Sequence, residues 1–190
     1  AAWGSPKIKI LFLGDSITAG YGVAQEEAYP ALLGQKLESF GIHHVEIING
    51  SISGSTTASA LSRLKWFRKA SPDVLVLALG ANDGLRGLSV ENMEENLGRA
   101  ISFAKNSNMD VILAGMQIPP NYGPEYADDF KQVFITLADL HGIVLIPFLL
   151  DGVGGRANMN QPDGIHPNRE GHQQIAKTVF PFILKQIQEP

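Results

Sequence analysis

Five short apolar runs punctuate the chain, at Ile8 to Leu13, Val45 to Ile48, Val74 to Leu79, Val111 to Ala114 and Ile143 to Ile146. Each is rich in Val, Ile and Leu and nearly continuous rather than alternating, which is the pattern of strands covered on both faces. Between the runs, apolar residues recur at helical spacing. This predicts helices over Tyr29 to Phe40, Ala58 to Lys69, Val90 to Lys105, Tyr126 to His141 and Arg169 to Gln188. Five repeats of strand then helix predict an α/β fold, a three-layer α/β/α sandwich on a five-stranded, parallel, doubly wound sheet with right-handed crossovers. Ligands of such sheets bind beyond the carboxyl ends of the strands. The Gly, Asn, Asp and Ser residues of this chain gather in those loops.

The loop after the first strand reads Gly14-Asp15-Ser16-Ile17-Thr18-Ala19-Gly20-Tyr21-Gly22. It lacks the Gly-Lys-Ser/Thr ending of a phosphate-binding loop and the G-x-G-x-x-G spacing of a dinucleotide site. No G-x-S-x-G elbow occurs anywhere in the chain, so the common α/β-hydrolase arrangement is not indicated. The strongest chemical signal is Asp163-Gly164-Ile165-His166-Pro167-Asn168, just before the last helix. Three residues apart in a turn, Asp163 and His166 come onto one side, so that the carboxylate bonds the imidazole Nδ1–H and Nε2 faces a neighbouring hydroxyl. Serine is a weak nucleophile that becomes competent only beside such a base. Ser16, His166 and Asp163 meet that need. Donors for a developing oxyanion have two candidate sources, the Gly54 turn in Asn49 to Thr56 and the Asn82 side chain in Gly80-Ala81-Asn82-Asp83-Gly84. Asp15 and Asp83 either tune the site or, the favoured reading, cap turns or the helices that follow.

These blocks resemble the SGNH, or GDSL-like, hydrolase family over nearly the whole chain. Gly14-Asp15-Ser16 is similar to its first block, Gly54 to its second, Gly80 to Asp83 to its third, and Asp163 to His166 to its fifth. Ile17 stands where the general motif has Leu. The resemblance implies an SGNH-hydrolase, flavodoxin-like sandwich with Ser16 as nucleophile and Asp163 and His166 completing a triad. It also implies an oxyanion hole formed by the Ser16 and Gly54 amides with the Asn82 side chain, and no metal or cofactor. Within the family, Asn82 to Gly87, Pro120 to Gly123 and Asp163 to Arg169 resemble the bacterial thioesterase I, lysophospholipase and arylesterase branch, whose members are typically periplasmic. The implied activity is hydrolysis of aryl and short- to medium-chain acyl esters, extending to acyl thioesters and lysophospholipids. Two rivals stand beside it. One is deacetylation of a carbohydrate. The other is a non-catalytic module holding an anion at a helix N-terminus, which needs neither His166 nor Asp163.

Composition narrows the partners. At 190 residues the chain suits one domain, 1–190, and no stretch approaches the ~20 apolar residues of a membrane-spanning helix. A net charge of −4 and a pI near 5.7 provide no basic field for nucleic acid, leaving a small-molecule acyl ester or thioester as the expected partner. Lys65, Arg68 and Lys69, around Trp66 and Phe67, read as the solvated face of an amphipathic helix. Cysteine is absent, which removes thiol nucleophiles, disulfides and Cys-type zinc sites and leaves the redox compartment and oligomeric state open. The chain starts Ala1-Ala2-Trp3, an end that a cleaved secretory signal or a cloning scar leaves behind. Periplasmic or secreted location is the expectation. His43, His44, His141 and His172 are read as surface or capping residues. Met116, Ile118, Tyr122, Phe148, Leu149 and Met159 are candidate pocket residues, and Arg86-Gly87 either a closing loop or a structural turn.

Overall fold

A computed structural model describes residues 7–188 of the chain. The reading of Ala1 to Trp3 lies outside the described residues. Five strands, β1 (Ile8–Gly14), β2 (Val45–Asn49), β3 (Val74–Ala78), β4 (Asp110–Ala114) and β5 (Val144–Ile146), pair in parallel in the order β2-β1-β3-β4-β5. Among the described residues seven α-helices accompany them: α1 (Ser16–Ala19), α2 (Tyr29–Ser39), α3 (Ala60–Phe67), α4 (Ala81–Leu85), α5 (Val90–Asn106), α6 (Pro124–His141) and α7 (Arg169–Gln188). α2 packs on α7, while α3, α5 and α6 form a second packed row. Crossovers of one hand that step one way from β1 to β2 and the other way thereafter put these two groups on opposite faces, the expected three layers.

The centre of the sheet follows the apolar pattern. Ile10, Leu11, Phe12 and Leu13 of β1 are wholly inaccessible, and β3 is buried throughout. The edges depart from it. β2 and β5 keep most of their side chains only partly covered, because an edge strand has a neighbour on one side alone.

Helix faces explain the second layer of the pattern. α5 buries Met93, Leu97, Ala100, Ile101 and Ala104, a stripe at helical spacing, and starts where the Ser89 side chain accepts from the Asn92 amide at 3.1 Å. α6 starts at Pro124, two residues before the expected Tyr126. Proline suits the first helical turn, where its missing N–H has no intrahelical partner. α3 is shorter than expected, its ends replaced by single 3-10 turns at Thr57–Ser59 and Arg68–Ala70. Lys65, Arg68 and Lys69 do lie on its exposed side, with the Lys69 ammonium 3.6 Å from the Trp66 ring centroid. α1 and α4 form where the sequence predicts loops. Both span only about one turn, four and five residues, too short to show an apolar period.

His172 is also a correction. It is not a surface or capping residue but fully buried in α7, where its Nδ1 accepts the Tyr29 amide at 3.2 Å and its Nε2 has no partner among the described residues. The Tyr29 hydroxyl in turn meets the Thr18 hydroxyl at 3.0 Å, so a polar chain runs from α7 through α2 to α1. His43 and His44 are exposed, and His141 closes α6.

Gly115 lets the exit of β4 lie flat against the exit of β5. Its amide donates to the Ile146 carbonyl at 2.8 Å, and a Cβ there would stand 2.5 Å from the Pro147 carbonyl oxygen and 2.8 Å from that of Ile146. Both obstacles are backbone. Gly115→Ala should therefore destabilise the protein by roughly 1–3 kcal/mol, seen as a lower midpoint in urea denaturation; an unchanged midpoint would contradict this packing.

Candidate active site

The strand order reverses at β1, between β2 and β3, and the crevice at such a switch point is where a doubly wound sheet binds ligands. Ser16 follows β1 and Asn82 follows β3, so both stand at that crevice. Asp15 forms the link: its Oδ1 accepts the Ile17 amide at 3.0 Å, capping α1 as expected, and leaves Ser16 as the first helical residue. Gly20, at φ +79°, ends the helix in the left-handed region after four residues.

His166 reaches this point from the other end of the chain. Its Nε2 lies 3.0 Å from Ser16 Oγ, and its Nδ1 lies 2.6 Å from Asp163 Oδ2. The other carboxylate oxygen accepts the Ile165 and His166 amides at 2.9 and 3.0 Å, in a turn that Gly164 closes at φ +71°. The His166 side chain and these two amides hold the Asp163 carboxyl down to about 2, well below the usual carboxylate range. An ionised carboxylate only accepts hydrogen bonds, so Nδ1 carries the imidazole proton and Nε2 presents its lone pair to Ser16.

Two neighbours of His166 escaped the sequence reading. The Tyr21 ring sits 4.6 Å from the imidazole centroid, tilted by 45°. Gln161 ties that turn down, donating to the carbonyls of Tyr21 at 2.7 Å and Pro167 at 3.0 Å while its own amide donates to the His166 carbonyl at 2.8 Å. The aromatic between Gly20 and Gly22 was the available signal; a lone Gln in a loop offers none.

The loops with Gly54 and Asn82 converge on the same place. Ile52 donates to the Gly14 carbonyl at 3.1 Å and Gly14 to Ser51 Oγ at 3.0 Å, binding the post-β2 loop to the end of β1. One Asn82 amide hydrogen goes to the Ser55 carbonyl at 2.9 Å, which orients the group and leaves its second hydrogen. Gly54 sits at φ +79°, a conformation L side chains rarely adopt, and its amide and that of Ser16 donate to no acceptor among the described residues. Asp83 is buried and caps no helix of its own. It accepts the Thr57 amide at 2.9 Å and the Thr57 hydroxyl at 2.6 Å, clamping the two loops together. Arg86-Gly87 is a structural turn here, with Gly87 at φ +62° and the Arg86 guanidinium donating to the Gly54 carbonyl at 3.2 Å.

The family described as GDSL-like Lipase/Acylhydrolase matches residues 12–174, most of the chain. The chain belongs to that family. An arylesterase of Vibrio mimicus is 39% identical over 180 residues, covering 94% of this chain and 90% of its own. Thioesterase 1/protease 1/lysophospholipase L1 of Escherichia coli is 36% identical over 180 residues, covering 94% of this chain and 83% of its own. Among solved structures, the psychrotrophic esterase EstA from Pseudoalteromonas sp., in a form inhibited by monoethylphosphonate, matches with a TM-score of 0.90 at 34% identity, covering 95% of this chain and 99% of that one.

Beside Ser16 opens a cavity of about 340 Å³ whose walls include Ile17, Leu85, Met116, Ile118, Phe148 and Ile165. Three of the expected pocket residues, Met116, Ile118 and Phe148, line it. Leu149 is instead in the core, Met159 packs against the core, and Tyr122 stands against Gly87 and Tyr126. The walls come from four separate loops, so no periodicity marks them in the sequence.

Burial pushes the Asp15 carboxyl up from 3.8 to about 6, against the pull of the Ile17 amide and the His166 charge. Burial alone pushes His172 down from 6.5 to about 4. The two oppose one another. The folded chain binds the Asp15 proton more tightly than the unfolded chain does, so stability is withheld above pH ~6 and regained as the pH falls toward 4. It resists protonation of His172, so stability is lost as the pH falls over the same window. Each contribution is about 3 kcal/mol. Asp15→Asn keeps an acceptor for the Ile17 amide and removes one side of the balance. The variant should be more stable than the wild type at pH 7 by about 1–3 kcal/mol, and urea titrations at pH 4 to 7 should show that gain vanish as the pH falls; equal stability at pH 7 would refute the assignment.

Proposed function

We propose that this chain is a serine esterase domain that hydrolyses aryl and short- to medium-chain acyl esters. The same site would accept acyl thioesters and lysophospholipids. The single observation that carries the reading is the unbroken hydrogen-bonded line from Ser16 Oγ through the His166 imidazole to Asp163, at 3.0 and 2.6 Å. An anion-binding module has no use for it.

In this mechanism His166 Nε2 takes the Ser16 proton as Oγ attacks the acyl carbonyl. The Ser16 and Gly54 amides and the second Asn82 amide hydrogen receive the oxyanion. Collapse expels the alcohol or thiol, protonated by His166, and leaves an acyl-Ser16. Water attacks that ester with His166 again as base, and the acid departs. Asp163, ionised throughout, holds the imidazolium without taking its proton.

Substrate class follows from the cavity. Its apolar walls suit a hydrocarbon acyl chain and offer few groups for sugar hydroxyls, which favours acyl esters over acetylated carbohydrate. The arylesterase, thioesterase and lysophospholipase names of the relatives support the same range. Location outside the cytoplasm belongs to the proposal on the strength of the family resemblance. Among the described residues no helix is long and apolar enough to cross a membrane.

Two measurements test the reading. An organophosphonate ester should add once, on Ser16, and Ser16→Ala should lose both the adduct and nearly all turnover of p-nitrophenyl esters; a Ser16→Ala protein that keeps its turnover would exclude the mechanism. Asn82→Ala should lower kcat by about 10²–10³ with acyl chains preferred to acetylated sugars in the wild type. Retention of full kcat would remove Asn82 from the oxyanion hole.

A further inference from the structure

Arg63, on α3, stands behind the loops that carry the proposed oxyanion donors and has no role in the mechanism above. Its Nη1 donates to Ser55 Oγ at 2.9 Å and to the Gly14 carbonyl at 3.3 Å, and its Nη2 donates to the Gly50 carbonyl. Gly14 lies two residues before Ser16, and Ser55 follows Gly54. One guanidinium therefore spans the end of β1 and both ends of the post-β2 loop. Ser55 is gripped twice, since its carbonyl accepts from Asn82 while its hydroxyl accepts from Arg63.

The cost of this arrangement argues against simple scaffolding. Arg63 is partly buried, forms no ion pair among the described residues, and leaves its buried Nε–H without a partner. A guanidinium desolvated by burial is expensive even with the Asp15 carboxylate near enough to favour its charge, and a well-packed apolar residue of similar volume is commonly as stable or more so. What an apolar side chain cannot supply is a rigid planar fork that holds three acceptors on two loops in one geometry. Oxyanion donors need that rigidity, because their value depends on being in place before charge develops.

Resting on the Ser16 reading, we infer that Arg63 is a positioning residue of the oxyanion hole: by clamping Gly14, Gly50 and Ser55 it sets the Gly54 amide and the Asn82 side chain against Ser16. It touches no reacting atom. Its contribution belongs to kcat, because ground-state binding takes place in the apolar cavity, whose walls Arg63 does not join.

The test is kcat and KM for a p-nitrophenyl ester, per mole of Ser16 titrated with the phosphonate, in Arg63→Met, Arg63→Lys, Ser55→Ala, Asn82→Ala and the Arg63→Met/Asn82→Ala double variant. Arg63→Met should lower kcat by about 10–100-fold with KM within about threefold, and Arg63→Lys, with its single point charge, should recover little of the loss. In the Asn82→Ala background the same substitution should cost clearly less than in the wild type, since one of the two donors it positions is already gone. A kcat within twofold of wild type, a loss confined to KM, or an undiminished loss in the Asn82→Ala background would overturn the proposal. Where Arg63→Met does not fold, Ser55→Ala decides: it removes one acceptor of the clamp and should lower kcat by about 3–10-fold, and an unchanged kcat overturns the proposal. Failure of the underlying reading shows separately, as turnover retained by Ser16→Ala, and takes the Arg63 proposal with it.

Discussion

The site depends on the rigidity of β1. A serine hydroxyl and an imidazole 150 residues apart in sequence meet at 3.0 Å, a distance that leaves no tolerance for a loose foundation. β1 provides it through four consecutive residues, Ile10 to Leu13, that are wholly inaccessible, the first three of them paired on both sides. Burial of this kind stabilises by roughly 1.5–3 kcal/mol per large side chain. The strand then ends in Gly14 and Asp15, and the cap passes its position directly to Ser16. From the far side, His172 and Tyr29 reach Thr18 in the same short helix, so α1 is held at its start by the sheet and along its length by α2 and α7.

Three aspartates near the crevice show how one residue type is put to different uses by its surroundings. Asp163 is exposed and held ionised by three hydrogen bonds, which is what an orienting partner of an imidazole requires. Asp15 is buried with one amide donating to its side chain, and burial outweighs that bond and the His166 charge, so its carboxyl is drawn toward neutrality. Asp83 is buried too, but two bonds from Thr57 satisfy it, and Asn96 extends the chain to the Thr57 hydroxyl at 3.2 Å. Residue identity alone does not separate these roles. Burial and the supply of donors do.

Much of this was legible in the sequence. Parallel strands buried on both faces write a continuous apolar run, and β1, β3 and β4 could be read directly; so could the stripes of α5 and α6. The residues Ser16, Gly54, Asn82, Asp163 and His166 could be named because each belongs to a short, unusual block in a loop that follows a strand. What stayed hidden has a common cause. α1 and α4 are too short for a period, His172 is a polar residue whose burial depends on contacts with α2, and Tyr21, Gln161 and Arg63 act through partners distant in the chain. Edge strands β2 and β5 looked like central ones because a strand's apolar content does not record how many neighbours it has.

The two sides of Ser16 are built on different principles. On one side, polar groups in fixed geometry, Asp83 with Thr57 and Arg63 with Ser55, tie backbone loops together through hydrogen bonds. In front, the cavity is framed by Leu85, Ile118, Phe148 and Ile165 from separate loops with few directional contacts. Apolar walls separate acyl chains that differ by one methylene by only ~1–3 kcal/mol. On the proposed mechanism, a change in the cavity wall alters which esters are hydrolysed, gradually and without touching the chemistry, whereas a change among the polar groups that hold the Ser16 loops alters how fast any of them is hydrolysed.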